Sequence, residues 1–206
     1  MFSPLRTAIL LLLQASCILM ATVAVARADE VLVEGPIAAA PEGFAAACFE
    51  MPELCDIPSP TAITGKPIDF TVADDVNYTV NRQTRYVSDQ VKFGQEDYWS
   101  PSNGSGDCED IALAKMKLMI SKGYDRSAMR LALVYGLKSG THAVLVVTIE
   151  NTDYVLDNMT NKMVTWDASG YSFTAIQSRA NPLVWVNVDI VKSFAAMRRP
   201  NFANAS

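Results

Sequence analysis

The sequence is short of histidine, cysteine and positive charge. One histidine, four cysteines and 17 lysines and arginines stand in 206 residues, against 22 aspartates and glutamates. No basic cluster longer than Arg198-Arg199 exists to meet a row of phosphates, which excludes nucleic acid as a natural partner. Internal repeats are absent too. What remains is a chain with 50% hydrophobic residues and moderate charge, enough for one globular domain with a real core.

Residues 1 to 28 read as a separate object. Arg6 begins a positive n-region, an almost wholly apolar run follows from Ala8 to Ala26, and Ala26-Arg27-Ala28 supplies a small-x-small cleavage pattern. This is read as a signal peptide cut after Ala28, with a retained membrane anchor as the alternative. Cys17 suggests a lipoprotein only weakly, because Gln14 takes the place of an apolar residue three positions before it. Cleavage removes Arg6 and Arg27 and no acid, which takes the net charge from −5 to −7. An exported acidic domain suits calcium or a polypeptide partner.

Export gives the few cysteines meaning. Cys17 leaves with the signal; Cys48 and Cys55, with six residues between them in CFEMPELC, form the natural disulfide of an oxidising compartment. Cys108 is left over. A free thiol in an exported protein invites oxidation, so use explains it better than packing does.

Residues 29–47, rich in Ala, Pro, Gly and acid, read as a linker or loosely attached arm, and residues 48–206 as the folded domain. Phe70 to Asp97 reads as one or two helices. Cys108 to Lys122 is a firmer helix: Ala112, Leu113, Met116, Met119 and Ile120 recur at helical spacing, Lys115, Lys117 and Lys122 fall outside that stripe, and Gly123 sits where a C-terminal glycine belongs. Asp107 suits the N-cap, with Glu109 and Asp110 in the first turn. Strand-like runs follow at Met129 to Leu137, His142 to Glu150 and Asp153 to Asn158, with shorter ones near 163–166 and 183–188. A helix followed by an antiparallel meander is an α+β arrangement.

Cys108 thus stands at a helix start, where the dipole favours the thiolate. A nucleophilic cysteine needs a base, and the base an orienting group. His142, at the start of the second strand, is the single imidazole, and Asp157, at the end of the third, is the candidate acid. Register tests the pairing in part. With Asn151-Thr152 as a two-residue hairpin loop, Asp157 faces Val146, on the same face as His142 but roughly 13 Å along the strand. Parity supports the contact and distance does not, so a larger loop or a bulge would be needed. Asp107, Glu109 and Asp110 beside the thiol would raise its pKa by like-charge repulsion. Capping and dipole compensation account for one or two of these acids. The alternative is a hard-oxygen cation site of calcium type, though the spacing is not that of an EF-hand. An oxyanion would meet the Cys108 backbone N–H, with the Trp99 indole as a candidate second donor against its plain reading as core.

At these residues a resemblance becomes specific. The GDCED-I-A, GTHAVLVV and YVLDN segments, with Tyr98-Trp99 upstream and Trp166-Asp167 downstream, resemble the bacterial transglutaminase-like cysteine proteinase family from about Pro36 to Val188. The resemblance implies a papain- or transglutaminase-like fold, with the nucleophile's helix packed on an antiparallel sheet. It implies Cys108 as nucleophile, His142 as general base, Asp157 as orienting acid, and calcium at Asp107, Glu109 and Asp110. Well-known family members are periplasmic proteases of the Lap adhesin-release system, which clip large surface adhesins and are sequestered by an inner-membrane receptor that senses cyclic di-GMP. Two other readings stand beside it: transglutaminase-type acyl transfer by the same residues, and a non-catalytic calcium-responsive binding domain.

Overall fold

The structure, a computed structural model, describes residues 30–57 and 65–197. The expected signal segment lies outside the described residues. Among those described, no helix is long and apolar enough to cross a membrane.

A seven-stranded sheet forms the frame. In chain order its strands are β1 (Glu34–Ala38), β4 (Met129–Gly136), β5 (Gly140–Ile149), β6 (Thr152–Leu156), β7 (Val164–Thr165), β8 (Ser172–Gln177) and β9 (Trp185–Val188). They lie in the order β1-β9-β8-β4-β5-β6-β7, every neighbouring pair antiparallel. A separate parallel pair joins β2 (Arg85–Tyr86) to β3 (Ser105–Gly106). The helices are α1 (Phe44–Glu50), α2 (Phe70–Gln83), α3 (Asp89–Lys92), α4 (Cys108–Ser121) and α5 (Ile190–Met197). The expected α+β arrangement is present, with α4 packed on β5 and α2 packed on α4.

Strand β5 shows why both faces of the sheet are covered. Ala143, Leu145, Val147 and Ile149 enter the core beneath α1, α2 and α4, whereas Val144 and Val146 join Trp166, Phe173 and Val186 on the opposite side. A strand apolar on both faces reads as a continuous Val/Leu run. Such a run is what residues 143–147 display.

Of the segment 29–47, expected to be a loose arm, the described residues 30–47 are built into the domain. From Glu34 to Ala38 it pairs with β9 at the sheet edge, and Phe44 of α1 packs edge-on against Trp99 and Trp185. Pro36 lacks an N–H and is tolerated because β1 has one unpaired side. Gly35 permits a close approach: a Cβ there would meet Asn187 O at 3.0 Å. Cys48 and Cys55 are disulfide-bonded, with Cα atoms 5.6 Å apart.

Helix α4 also departs from expectation at one lysine. Lys115 is 1% exposed, level with Met116 and Met119 rather than on a solvent face. Gly123 does end the helix as expected, with φ +81° and its N–H donated to Ile120 O.

Candidate active site

The hairpin between β5 and β6 settles the register. Ile149 is opposite Thr152 and Leu145 opposite Leu156, so the two-residue loop is Glu150-Asn151, one position earlier than expected. Both loop residues have positive φ, 47° and 63°, the geometry of the tight turns that match strand twist. The shift carries Asp157, one residue past β6, level with Val144, and His142 becomes its diagonal neighbour on the same face. Diagonal pairs lie about 7–8 Å apart at the backbone, within reach of long side chains. His142 Nε2 and Asp157 Oδ1 meet at 2.8 Å. Neither a longer loop nor a bulge is needed.

Both residues are buried, at 5% and 4% exposure. Burial alone would raise the Asp157 carboxyl, but hydrogen bonds from His142, Met159 N and Tyr171 together hold it below the usual carboxylate range. An ionised Asp157 on Nε2 selects the tautomer with the proton there, leaving Nδ1 free as a base.

Cys108 reaches the same place from the first turn of α4. Its Sγ accepts from Ala143 N, the residue after His142, at 3.4 Å, and its S–H donates to Glu109 Oε2 at 3.0 Å. Among the described residues it is the one free cysteine. Burial pushes the thiol up, and the charge and hydrogen bond of Glu109 push it further. The dipole of α4 is therefore outweighed by burial first and by the acidic surroundings after it.

Those surroundings differ from the sequence expectation in one member. Asp107 is at the N-cap position but does not cap: its Oδ2 accepts from Asp89 N at 3.0 Å. Asp89, from α3, joins Asp107 and Glu109 in a buried trio whose ligand atoms lie within 4.8 Å of one another. Asp110 faces elsewhere. It is fully buried, pairs with Lys92 Nζ at 3.0 Å and accepts from Ser100 N at 2.8 Å. Its carboxylate also lies beneath Gly106, where a Cβ would come within 2.4 Å of Oδ2, so the loop before Cys108 closes over it only with glycine. Asp110 therefore braces the loop before Cys108 and stands apart from the acid trio.

The trio carries the marks of a cation site. Asp89 Oδ1 and Asp107 Oδ1 are buried with no hydrogen-bond partner. Burial raises the Asp89 carboxyl, and burial with the nearby Asp107 charge takes Glu109 up to about 8. Hard carboxylate oxygens left without donors fit calcium.

Trp99 does not serve as expected. It is 2% exposed, wedged edge-on between Phe44 and Trp185, and its Nε1 donates to Asp97 Oδ1 at 2.7 Å. That indole N–H is spent on the exposed Asp97 carboxylate, not offered to a substrate.

Sequence reasoning missed Asp89 and Tyr171. Asp89 lies 18 residues before Asp107 on a helix of four residues, and Tyr171 precedes an unforeseen strand, so no local pattern marks either.

No curated protein matches the chain significantly. Among solved structures, LapG of Legionella pneumophila is similar at 26% identity, over 63% of this chain and 77% of that one, with a TM-score of 0.47. A calcium-bound form of that protein is similar at 22% identity, over 77% and 89%, with a TM-score of 0.48. The sequence model described as bacterial transglutaminase-like cysteine proteinase, BTLCP, matches residues 34–193, from the first residue of β1 into α5. A match across that span shows that the chain belongs to the bacterial transglutaminase-like cysteine proteinases and is a cysteine peptidase of that family.

Proposed function

We propose that the protein is an exported, periplasmic endopeptidase in which Cys108, His142 and Asp157 act as nucleophile, general base and orienting acid. The observation that carries the reading is the 2.8 Å His142–Asp157 contact, made one residue from the strand N–H that holds the Cys108 sulfur.

In the first half-reaction the Cys108 S–H proton passes to His142 Nδ1 and the sulfur attacks the substrate carbonyl carbon. The tetrahedral oxyanion faces the Cys108 backbone N–H at the start of α4. His142 returns the proton to the leaving amine as the C–N bond breaks, which leaves a thioester. Water, deprotonated by His142, then attacks the thioester; the acid product departs and the sulfur is reprotonated. Asp157 stays ionised throughout and steadies the imidazolium.

Calcium would be held by Asp89, Asp107 and Glu109, where its charge compensates three buried carboxylates beside the thiol. Glu109 cannot serve that site and accept the thiol proton with the same lone pairs, so the two roles compete.

From the family resemblance, the substrate is a protein of the cell surface, with a large adhesin as the leading case. The regulator would be an inner-membrane receptor for cyclic di-GMP. The test is incubation with surface-protein extracts, with and without chelator, comparing wild type with Cys108→Ser. Cleavage lost in the variant and in chelator supports the reading. Cleavage by Cys108→Ser overturns it, and incorporation of a labelled amine into glutamine in place of cleavage would assign acyl transfer instead.

A further inference from the structure

Tyr171 lies outside these three residues, yet its side chain belongs to the same hydrogen-bonded chain. The phenol donates to Asp157 Oδ2 at 2.6 Å. The other oxygen, Oδ1, accepts from His142 Nε2 at 2.8 Å and from Met159 N at 3.0 Å. The terminal torsion of an aspartate is broad and two-fold. A donor fixed on one oxygen therefore decides where the other points.

The phenol is itself fixed. Its ring rests where Gly136, the last residue of β4, leaves room: a Cβ on that glycine would lie 2.7 Å from Tyr171 Cε1. Tyr171 N donates to Ser169 Oγ at 3.2 Å, and the ring stands 5.8 Å from the imidazole, centroid to centroid. Burial, with the Asp157 hydrogen bond, pushes the hydroxyl pKa up, so it remains a donor at any physiological pH.

We propose that Tyr171 is a positioning residue: by holding Asp157 Oδ2 it commits Oδ1 to His142, and so fixes the imidazole with Nε2 on the acid and Nδ1 toward Cys108. The proposal rests on the Cys108–His142–Asp157 reading. Its rival is a hydroxyl that merely competes with His142 for the charge of the carboxylate, and the two differ in sign. Loss of a positioning donor loosens the His142–Asp157 bond, whereas loss of a competitor tightens it.

His142 is the single histidine of the chain, so one low-field Nε2–H proton signal reports this bond in the full-length protein with calcium present. In Tyr171→Phe, solvent exchange of that proton is expected to rise about tenfold, the scale of one lost hydrogen bond. Once a cleaved substrate is in hand, kcat is expected to fall by a similar factor with KM within twofold. Gly136→Ala, which displaces the ring but keeps the hydroxyl, is expected to act in the same direction and serves where the phenylalanine variant does not fold. Unchanged or slower exchange in the folded variants overturns the proposal. So does a full Tyr171→Phe effect in an Asp157→Asn background, where it should vanish. If Asp157→Asn alone leaves the Nε2–H signal untouched, the three-residue reading fails instead, and the two failures are told apart.

Discussion

Two buried charge clusters stand at opposite ends of β5, and they are built on opposite rules. At the Thr148 end, Asp153 is fully buried but meets Arg130 Nη2 at 2.6 Å and Arg179 Nη2 at 2.9 Å, and also accepts from Leu32 N and Thr148 Oγ1. Burial would raise its carboxyl, and the two arginines overcome this and hold it low. At the His142 end, Asp89, Asp107 and Glu109 are buried with no ion pair to any of them among the described residues; the Lys92 charge reaches Asp89, but its ammonium is bonded to Asp110. The first cluster pairs its anion with bases from the chain itself, although Arg130 Nε and Nη1 are buried without a hydrogen-bond partner. The second gathers its acids without a paired base among the described residues, a charge balance that an external cation would complete.

The largest effect should come from breaking the Asp153 cluster. Asp153→Ala leaves Arg130, 2% exposed, without its closest anion, and a loss of about 3–5 kcal/mol is expected in urea unfolding. Calcium should stabilise the other cluster and leave the first indifferent. At a hundredfold excess over Kd the gain is about 2.7 kcal/mol, read as a calcium-dependent rise in melting temperature. Asp89→Asn is expected to remove that rise while making the metal-free protein more stable, because it relieves repulsion among the acids.

The two clusters should also respond to pH with opposite slopes. The Asp153 carboxyl is lowered on folding, so its stabilisation is present above the unfolded value of about 4 and is lost as pH falls through the lower folded value. Glu109 is raised to about 8 in the metal-free protein, so the folded state binds the extra proton and stability falls as pH rises from about 4.3 toward 8. Calcium should flatten the second slope only, which melting curves in buffer series with and without chelator will show.

The last effect belongs to Lys115, which burial lowers to about 7. With calcium present, its folded state binds fewer protons than the unfolded chain between about pH 7 and 10.4, so stability rises with pH there. Lys115→Met is expected to remove that rise and leave the neutral-pH melting temperature equal or higher.

Rarity made Cys108, His142 and Asp157 legible in the sequence: a leftover thiol and a lone imidazole leave few combinations. Asp110 misled because adjacent helix residues point about 100° apart. Three acids around one cysteine need not converge, and the turn of the helix carries Asp110 under the Gly106 loop while Asp89 arrives from elsewhere. The edge strand β1 was hidden by Gly35 and Pro36, residues that an edge accepts and a central strand would not. The hairpin was placed one residue late because Asn151 marks the turn without saying which side of it the loop occupies. That single position separated a distant His142 and Asp157 from a bonded pair.

The pairing of β1 with β9 has a further consequence. These strands are separated by almost the whole described chain, yet Trp185 of β9 and Phe44 beside β1 together wedge Trp99, next to Tyr98 and Ser100, whose N–H groups hold Asp89 and Asp110. A growing chain keeps β1 without its β9 partner until residues 185–188 have been made. The loop before Cys108 reaches its finished form only once the last strand is in place, so synthesis ends before this peptidase is assembled.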